Sequence, residues 1–478
     1  MGRDVLLLYM SPKNPNYKTQ TNEGAVRYLI KEKETPDCIL ALCSETVRKK
    51  AVVEMPDGRT CTTLEYFRDA LRRVGMPAER LVVIEVPDSM DDEKKQFQAI
   101  SQLLDKIEKE DTLSIDLSGG MRDTAMLLVT AARCMRDLRG VQTRRVIYAE
   151  LRGEEPVAHD RTQLYDLFDF VTAMDEFFST GTAQKLKSYL WSEGEKDPVL
   201  HTLLTRINQF SEDLALCRVR KLNDDLNQIA QALKEMPKKS QNLTDLFFRL
   251  LKDRFSTEFA ELLTSGEKAL PALVSWCAKH GMYQQALTLL CEQMPAYVCR
   301  HLFVQPTETG WAYLAAQNQN KGKAWVYPLF HFHFCRLTLM QKEYPYTTDL
   351  RLTHSKDDAE GNMLFGVANS KEMHAYMDTV LASGQLVIDP DVRWQIEDAA
   401  LFYQRVMQYR NQINHASDTA FGLQSDRILP LDTAHIEQTL QDVADYLQEI
   451  RPMKPDVPKG VKALPVTKTI PAGAAPNL

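Results

Sequence analysis

The sequence predicts an α/β plus all-α protein, with a parallel sheet covered by helices on both faces and a helical region after it. Short apolar runs alternate with amphipathic segments up to about residue 150, strand signals almost vanish after Asp160, and the later segments have a 3.6-residue apolar period. The chain has 478 residues, of which 44% are hydrophobic and 26% charged. Two or three globular domains are expected, and a disordered or fibrous protein is excluded.

Five apolar runs in the N-terminal part are predicted strands. They are Val5–Met10, Cys38–Cys43, Leu81–Val86, Thr112–Leu117 and Arg145–Leu151. Between the third and fourth runs, Asp92–Lys109 carries apolar residues at helical spacing on a charged background. Ala51–Thr62 contains the turn Pro56-Asp57-Gly58 and predicts a short hairpin. We therefore expect a Rossmann-like domain over residues 1–155.

The second half of the chain is predicted to be mainly helical. Helical periodicity is clearest in Leu164–Phe178, Val199–Lys234 and Asp391–Asn414. These patterns indicate a helical connector over residues 156–198 and a helical domain over residues 199–450. The Pro- and Ala-rich residues 451–478 lack an apolar period and predict a disordered tail.

Composition narrows the class of protein. With 58 Lys and Arg against 65 Asp and Glu, the net charge of −7 disfavours stable DNA binding. The nine cysteines include no C-x-x-C pair, which disfavours a disulfide framework and a structural zinc site. No run approaches the ~20 apolar residues that span a bilayer, so we expect no membrane association and a cytoplasmic location. His331-Phe332-His333 would place two histidines on one face of a strand, and we interpret them as structural rather than metal-binding.

A strand–turn–helix segment follows the fourth predicted strand. Asp116-Leu117 is followed by Ser118-Gly119-Gly120-Met121-Arg122-Asp123 and then by an apolar helix. Two glycines let the backbone turn closely, and the free N–H groups of a helix N-terminus suit a phosphate. Ser118 adds a hydroxyl and Arg122 a cation. The alternative is a plain tight turn in which Asp123 is only an acid at the helix start.

The loop after the first strand is the second candidate for ligand binding. It reads Ser11-Pro12-Lys13-Asn14-Pro15 and continues to Thr19. Because ligands of open α/β sheets bind beyond the carboxyl ends of the strands, this loop is predicted to face Ser118–Arg122 across one pocket. A solvated polar connection is the alternative.

A third candidate lies at the end of a long helix that Asp391 could cap. The last turn reads Arg410-Asn411-Gln412-Ile413-Asn414-His415, in which Arg410 lies over Asn414 and Asn411 over His415. Arg152 and His159 have a similar spacing, but Gly153 and Pro156 place that pair in a predicted loop, and we interpret it as a chance match. The alternative for His415 is a histidine favoured by the helix dipole beside an exposed arginine.

The pair Arg410 and His415 suits RNA cleavage without a metal. An imidazole with a pKa near ~6.5 can take or give the proton, while a guanidinium stabilises charge that develops on the phosphoryl group. One histidine serves one role at a time. Two copies of the helix meeting at a two-fold axis would supply two, so the chemistry predicts a homodimer.

On these residues the sequence resembles a known family. The segment Asp116–Arg122 after an N-terminal sheet resembles a CARF (CRISPR-associated Rossmann fold) domain, and Arg410–His415 resembles the Arg-x4-His motif of HEPN ribonucleases. Residues Ala173–Phe178 with Gly181 resemble the connector between these domains. Together they are similar to the CARF–HEPN accessory ribonucleases of type III CRISPR systems.

The resemblance implies a single-stranded RNA endonuclease of antiviral defence that leaves 2′,3′-cyclic phosphate ends. It implies activation by cyclic tetra- or hexa-adenylate, no cofactor or metal, and catalysis by Arg410 and His415 with Asn411 and Asn414. The predicted ligand-binding residues are Ser11, Lys13, Asn14, Ser118, Gly119, Gly120, Met121, Arg122 and Asp123. The alternative function is a nucleotide-sensing regulator whose helical part binds a partner without catalysis.

Overall fold

The computed structural model divides into two compact units, Met1–Val171 and Thr172–Leu478. The structure describes residues 2–50, 52–54, 58, 60–89, 92–120, 122–152, 155–193, 198–218, 221–235, 252–255, 257–264, 269–316, 322–334, 370–414, 429 and 431–471. Among these residues, no helix is long and apolar enough to cross a membrane.

The first unit is built on a six-stranded, mostly parallel sheet with the strand order β5-β2-β1-β6-β7-β8. Its strands are β1 (Asp4–Tyr9), β2 (Cys38–Cys43), β5 (Leu81–Glu85), β6 (Thr112–Asp116), β7 (Gln142–Arg152) and β8 (Glu155–Asp160). The first five match the predicted strands. The sixth, β8, pairs antiparallel with β7 and was not predicted, because its sequence Glu-Pro-Val-Ala-His-Asp carries no apolar run.

Strand β8 corrects two sequence-based expectations. Arg152 and His159 do not lie in a loop: they belong to paired strands, with His159 opposite Tyr148 in the register. The first unit also extends past the predicted boundary at residue 155 and ends at Val171. The edge strand and the first half of the next helix therefore complete the N-terminal domain.

Helices cover both faces of the sheet. They are α1 (Glu23–Lys31), α2 (Thr63–Arg73), α3 (Glu93–Leu104), α4 (Arg122–Arg139) and α5 (Thr162–Thr180), which continues into the second unit. Residues of α1 and α2 form one core with Leu6, Leu8 and Ile147, whereas α3 and α4 form the other with Leu7, Ile115 and Val146. Because β1 and β2 are covered on both sides, their sequences are almost entirely apolar.

The predicted hairpin between β2 and α2 is present. Strands β3 (Val52–Glu54) and β4 (Thr60–Thr62) pair antiparallel, while Ala51, Pro56 and Asp57 lie outside the described residues. Thr62 then begins α2 with a capping box: its hydroxyl accepts from Glu65 N–H, and the Glu65 carboxylate accepts from Thr62 N–H.

The second unit is mainly helical, as predicted. Its helices are α6 (Gln184–Glu193), α7 (Pro198–Ala215), α8 (Leu222–Glu235), α9 (Ala260–Thr264), α10 (Ala269–Lys279), α11 (Tyr283–His301), α12 (Glu308–Ala316), α13 (Val326–Pro328), α14 (Ser370–Ala382), α15 (Arg393–Asn414) and α16 (Thr433–Ile450). A small antiparallel pair, β9 (Val304–Pro306) and β10 (Leu386–Ile388), was not predicted.

Three details of the helical predictions need correction. The segment Val199–Lys234 is two helices, α7 and α8, with Cys217 in a left-handed conformation (φ 52°) between them. Asp391 does not cap the long helix, because a 3-10 turn capped by Asp389 precedes α15. The histidines of Leu329–Phe334 lie on a π-helical turn rather than on a strand.

Tyrosine hydroxyls join the long helices of this unit. Tyr403 of α15 donates to the Cys291 carbonyl in the middle of α11 at 3.1 Å, and Tyr297, later in α11, donates to the Leu447 carbonyl of α16 at 3.1 Å. Tyr446 of α16 donates to the Gln395 carbonyl at 2.7 Å. Each bond joins a buried side chain to a backbone group of the neighbouring helix and fixes how the helices align.

The predicted disordered tail is ordered over much of its length. Residues 451–471 return to the segment before the π-helical turn, where the Trp325 indole donates to the Pro465 carbonyl at 3.0 Å and Ala324 forms a β-bridge with Thr469. Ile470 is 1% exposed. Pro-rich composition predicts the lack of helix here but not the docking, which depends on the buried Trp325 far away in the sequence.

Candidate functional site

The first candidate site lies at the position in the sheet where the order of successive strands changes direction. The strands run outward from β1 to β2 and β5 on one side and from β6 to β7 on the other, so β1 and β6 form the switch point. In open α/β sheets this is where the loops diverge and leave a crevice for a ligand. Both loops that the sequence singled out, after Tyr9 and after Asp116, begin here.

A buried carboxylate lies where the second of these loops begins. Asp116 is 0% exposed, and it accepts hydrogen bonds from Asn22 Nδ2 at 2.7 Å, from Ser118 N at 2.9 Å and from the Ser118 hydroxyl. Burial raises the pKa of Asp116 to about 6, although these hydrogen bonds oppose the shift. These hydrogen bonds therefore fix the conformation of the chain at the start of the loop after Asp116.

Asn22 and Gln20 link the two loops, and neither residue belongs to a motif that sequence reasoning could recognise. The Asn22 side-chain oxygen accepts from Ser11 N at 3.1 Å and from Gln20 Nε2 at 2.6 Å, and Gln20 Nε2 also contacts the Ser11 carbonyl at 2.8 Å. Both side chains are buried. Their role comes from the way the chain folds back before α1, which no local motif encodes.

The glycines of the turn are required by close backbone approach. A Cβ atom on Gly119 would lie 1.7 Å from the Tyr9 carbonyl oxygen. Gly120 has φ +82° and donates its N–H to Ser11 Oγ at 2.9 Å. The two loops are thus in direct contact through Ser11 and Gly120, whereas the predicted pocket between them stays a prediction. Thr124, in the first turn of α4, donates its hydroxyl to the Gly119 carbonyl at 3.0 Å.

Several side chains that were predicted to bind the ligand form hydrogen bonds with other groups of the protein. The Ser118 hydroxyl donates its only proton to Asp116 and accepts from Ala149 N at 2.6 Å. The Lys13 ammonium contacts the Asn14 carbonyl at 3.2 Å and the Tyr17 carbonyl, and burial lowers its pKa. The Asn14 side chain accepts from Asn16 N at 3.0 Å. These contacts order the loops, whereas the Ser11 hydroxyl proton has no acceptor among the described residues.

The remaining predicted residues of this site are only partly described. Arg122 is the first residue of α4, and Asp123 lies in the first turn. Met121 lies outside the described residues, as does the side chain of Arg122. The start of α4 at Arg122, two residues after Gly120, agrees with the predicted strand–turn–helix.

A charged cluster on the edge hairpin was missed by sequence reasoning. Glu150 Oε1 of β7 binds Arg152 Nη2 at 2.7 Å and His159 Nε2 of β8 at 2.9 Å. The hydrogen bond with His159 has the largest effect on the pKa of Glu150 and lowers it, and the hydrogen bond with Arg152 lowers it further. The spacing of Arg152 and His159 is the sequence signal for this cluster, but the prediction of a loop between them concealed it.

The second candidate site is the last turn of α15. Arg410 lies one turn before the helix end, where Nη1 donates to Asn411 Oδ1 at 3.5 Å. Its Nε atom is buried and has no hydrogen-bond partner among the described residues. Asn414 Oδ1 accepts from Gln284 Nε2 of α11 at 3.1 Å. His415 lies outside the described residues, directly after the helix ends.

Two buried glutamines hold the chain as it returns to α15. Gln408 Oε1 accepts from Leu429 N at 3.3 Å, and Gln412 Nε2 donates to the Leu429 carbonyl at 3.4 Å. Both are less than 5% exposed. One turn apart on the helix, they bind both backbone groups of one residue. Sequence reasoning missed them because glutamine on a helix is ordinarily a solvated residue.

The sequence matches no protein-family model and no curated protein.

Proposed function

We propose that this protein is a ligand-activated endoribonuclease, in which the first unit binds a cyclic oligoadenylate and the second cleaves single-stranded RNA without a metal ion. The proposal rests on the motifs Asp116–Arg122 and Arg410–His415, and on their resemblance to CARF and HEPN domains.

Ligand binding is supported by the crevice at the switch point between β1 and β6. Backbone amides at the start of α4, the free Ser11 hydroxyl proton and a close-packed glycine turn offer hydrogen-bond donors without bulky side chains. A phosphodiester has acceptor oxygens and a negative charge, and so fits a surface made of donors. A cyclic oligoadenylate presents several such groups in a ring.

The observation that carries the cleavage proposal is the buried Nε atom of Arg410, which has no acceptor among the described residues. Leaving such a donor unpaired costs about 1–3 kcal/mol in the folded state. An oxygen of the substrate phosphate can accept from it during the reaction. The cost of the unpaired state is then recovered when negative charge develops.

The proposed reaction is transesterification within the RNA. The 2′-oxygen attacks the adjacent phosphorus and its proton goes to an imidazole, while the bond to the 5′-oxygen breaks and that oxygen receives a proton. The products are a 2′,3′-cyclic phosphate and a 5′-hydroxyl. Arg410 stabilises the phosphoryl charge, and His415 acts as base or acid. Asn411 and Asn414 orient the site, and a homodimer supplies both imidazoles.

The test is cleavage of 5′-labelled single-stranded RNA by purified protein in EDTA, with cyclic tetra- or hexa-adenylate added in turn. We expect activation by one ring size, cyclic phosphate ends, and a loss of about 10²–10⁴-fold for His415→Ala. Strict dependence on a divalent metal would exclude the mechanism. Ligand binding without any RNA cleavage would instead support the non-catalytic regulator.

A further inference from the structure

The edge hairpin of the first unit carries a surface that the proposed function does not use. On β7 and β8, Glu150 joins Arg152 and His159, while Tyr148 is the residue opposite His159 in the strand register. Tyr148 is 43% exposed, and the Arg152 side chain is 69% exposed. We call Tyr148, Glu150, Arg152 and His159 the hairpin cluster.

Strand alternation places the hairpin cluster on the face of the sheet that α4 covers. Val146 packs in the core with α4, and Ile147 packs in the core with α1. A Cβ built on Gly24 of α1 would lie 2.6 Å from Ala149 Cβ, which confirms that odd-numbered residues of β7 face α1. Tyr148, Glu150 and Arg152 therefore share the α4 face, as does His159, whose neighbour Ala158 packs in the α1 core.

The hairpin cluster also lies beside the turn that begins α4. Ala149 N donates to Ser118 Oγ at 2.6 Å, and Leu117 N donates to the Ile147 carbonyl at 2.9 Å. Tyr148 and Glu150 are the chain neighbours of Ala149, so they flank Ser118. The cluster and the glycine turn thus border the same carboxyl edge and the same face of the sheet.

The chemistry of the hairpin cluster suits an adenine nucleotide. An exposed tyrosine ring stacks on a base, and an exposed guanidinium pairs with phosphate. In the tautomer of His159 that donates Nε2–H to Glu150, the Nδ1 atom is an acceptor for an exocyclic amine. Adenine presents that amine, whereas guanine presents a carbonyl oxygen at the same position.

We propose that the hairpin cluster is an adenine subsite of the ligand crevice, with Tyr148 stacking on the base, Arg152 binding an adjoining phosphate and the Glu150–His159 pair recognising the amine. This inference rests on the proposed function, since the crevice at Gly119 and Gly120 supplies the rest of the ligand site. It adds the specificity for adenine, which the glycine turn alone does not provide.

The experiment measures binding of cyclic tetra-adenylate, cyclic hexa-adenylate and linear tetra-adenylate to the full chain by calorimetry. Tyr148→Ala is expected to weaken binding about 5- to 100-fold, as loss of one base–aromatic stack does, while Tyr148→Phe keeps it. Arg152→Ala should weaken binding by a similar factor. Arg144→Ala is the matched control, because Arg144 is also on β7 but at the amino end, where it binds Asp4 at 2.9 Å. Thermal unfolding verifies that each variant is folded.

The outcomes separate the two proposals. If wild type binds a cyclic ligand and folded Tyr148→Ala and Arg152→Ala bind it equally well, the adenine subsite is wrong and the proposed function stands. If wild type binds only the linear ligand, with loss in Tyr148→Ala, the subsite stands and cyclic activation is wrong. If wild type binds none of the three, both are wrong.

Discussion

Ser11 Oγ accepts a hydrogen bond from Gly120 N at 2.9 Å, and this contact joins two loops that are 109 residues apart in the sequence. It depends on the Gly119 backbone passing directly over the Tyr9 carbonyl. Because β1 and β6 are adjacent parallel strands, their following loops leave the sheet at the same edge. The contact therefore fixes how the two loops lie against each other at this edge of the sheet.

Gly119→Ala is expected to destabilise the first unit and to abolish binding of cyclic oligoadenylate. A Cβ atom 1.7 Å from the Tyr9 oxygen forces the turn away from β1, at a cost of about 1–3 kcal/mol. Urea unfolding and ligand calorimetry measure the two effects. Gly75→Ala is the control, since nothing lies within 4 Å of its added Cβ and only its φ of +79° opposes the change. Equal behaviour of the two variants would contradict the close approach at Gly119.

The buried Asp116 carboxyl is expected to make stability depend on pH in an unusual direction. Its pKa is raised in the folded state to about 6 from an ordinary value near 3.8, so the folded state binds the proton more tightly. The stabilisation by protonation is complete below the unfolded pKa and is lost as pH rises through about 6. Between about pH 7.5 and about pH 4.5, this group alone should add about 2 kcal/mol.

The measurement is urea unfolding of wild type and Asp116→Asn at both pH values. The pKa values of Asp111 and Asp160 are lowered in the folded state, so their contributions to the stability of the protein are lost as pH falls. Only the difference in stability between wild type and Asp116→Asn therefore isolates Asp116. That difference should shift in favour of wild type at the lower pH. A constant difference would mean that Asp116 does not change its protonation in this range.

Much of the first unit could be predicted from the sequence, because strands buried on both faces leave continuous apolar runs. The runs at Leu6 and Ile39 are of this kind. Edge strand β8 could not be predicted, since it is covered on one face only and holds Pro156 and His159. The same missed strand concealed the hairpin cluster.

The candidate sites divide in the same way. Gly119 and Gly120 are visible in the sequence because backbone geometry restricts those positions to glycine, and Arg410 is visible because a charge interrupts an apolar helix. The partners Asn22 and Gln284 are not visible, because their roles come from tertiary contacts with Asp116 and Asn414. Local patterns predict which residues a turn or helix needs, and not which distant side chains hold them.

Ile470→Ala is expected to destabilise the second unit by about 2–4 kcal/mol, the cost of truncating a fully buried side chain. Ile470 is 1% exposed, and Ile470 N donates to the Lys323 carbonyl at 2.9 Å beside the buried Trp325. Val457→Ala is the control, because Val457 is 42% exposed on the same segment. Urea unfolding measures both. An Ile470→Ala protein as stable as Val457→Ala would mean that the C-terminal segment does not dock in solution.

Arg410→Met is expected to reduce RNA cleavage by about 10²–10³-fold while leaving the protein as stable as wild type, or more stable by about 1 kcal/mol. Methionine keeps part of the aliphatic stem and removes the buried Nε–H that has no acceptor among the described residues. A buried donor that lowers the stability of the folded state is expected where an oxygen atom of the substrate accepts its hydrogen bond.

The control is Arg405→Met on the same helix. The Arg405 guanidinium lies over the Phe402 ring at 5.8 Å, and the Arg405→Met variant should cleave RNA like wild type. Cleavage rates with saturating cyclic oligoadenylate and midpoints of thermal unfolding are measured for the three proteins. If Arg410→Met is unstable and its activity falls only in proportion to the unfolded fraction, Arg410 is a structural residue and the cleavage site lies elsewhere.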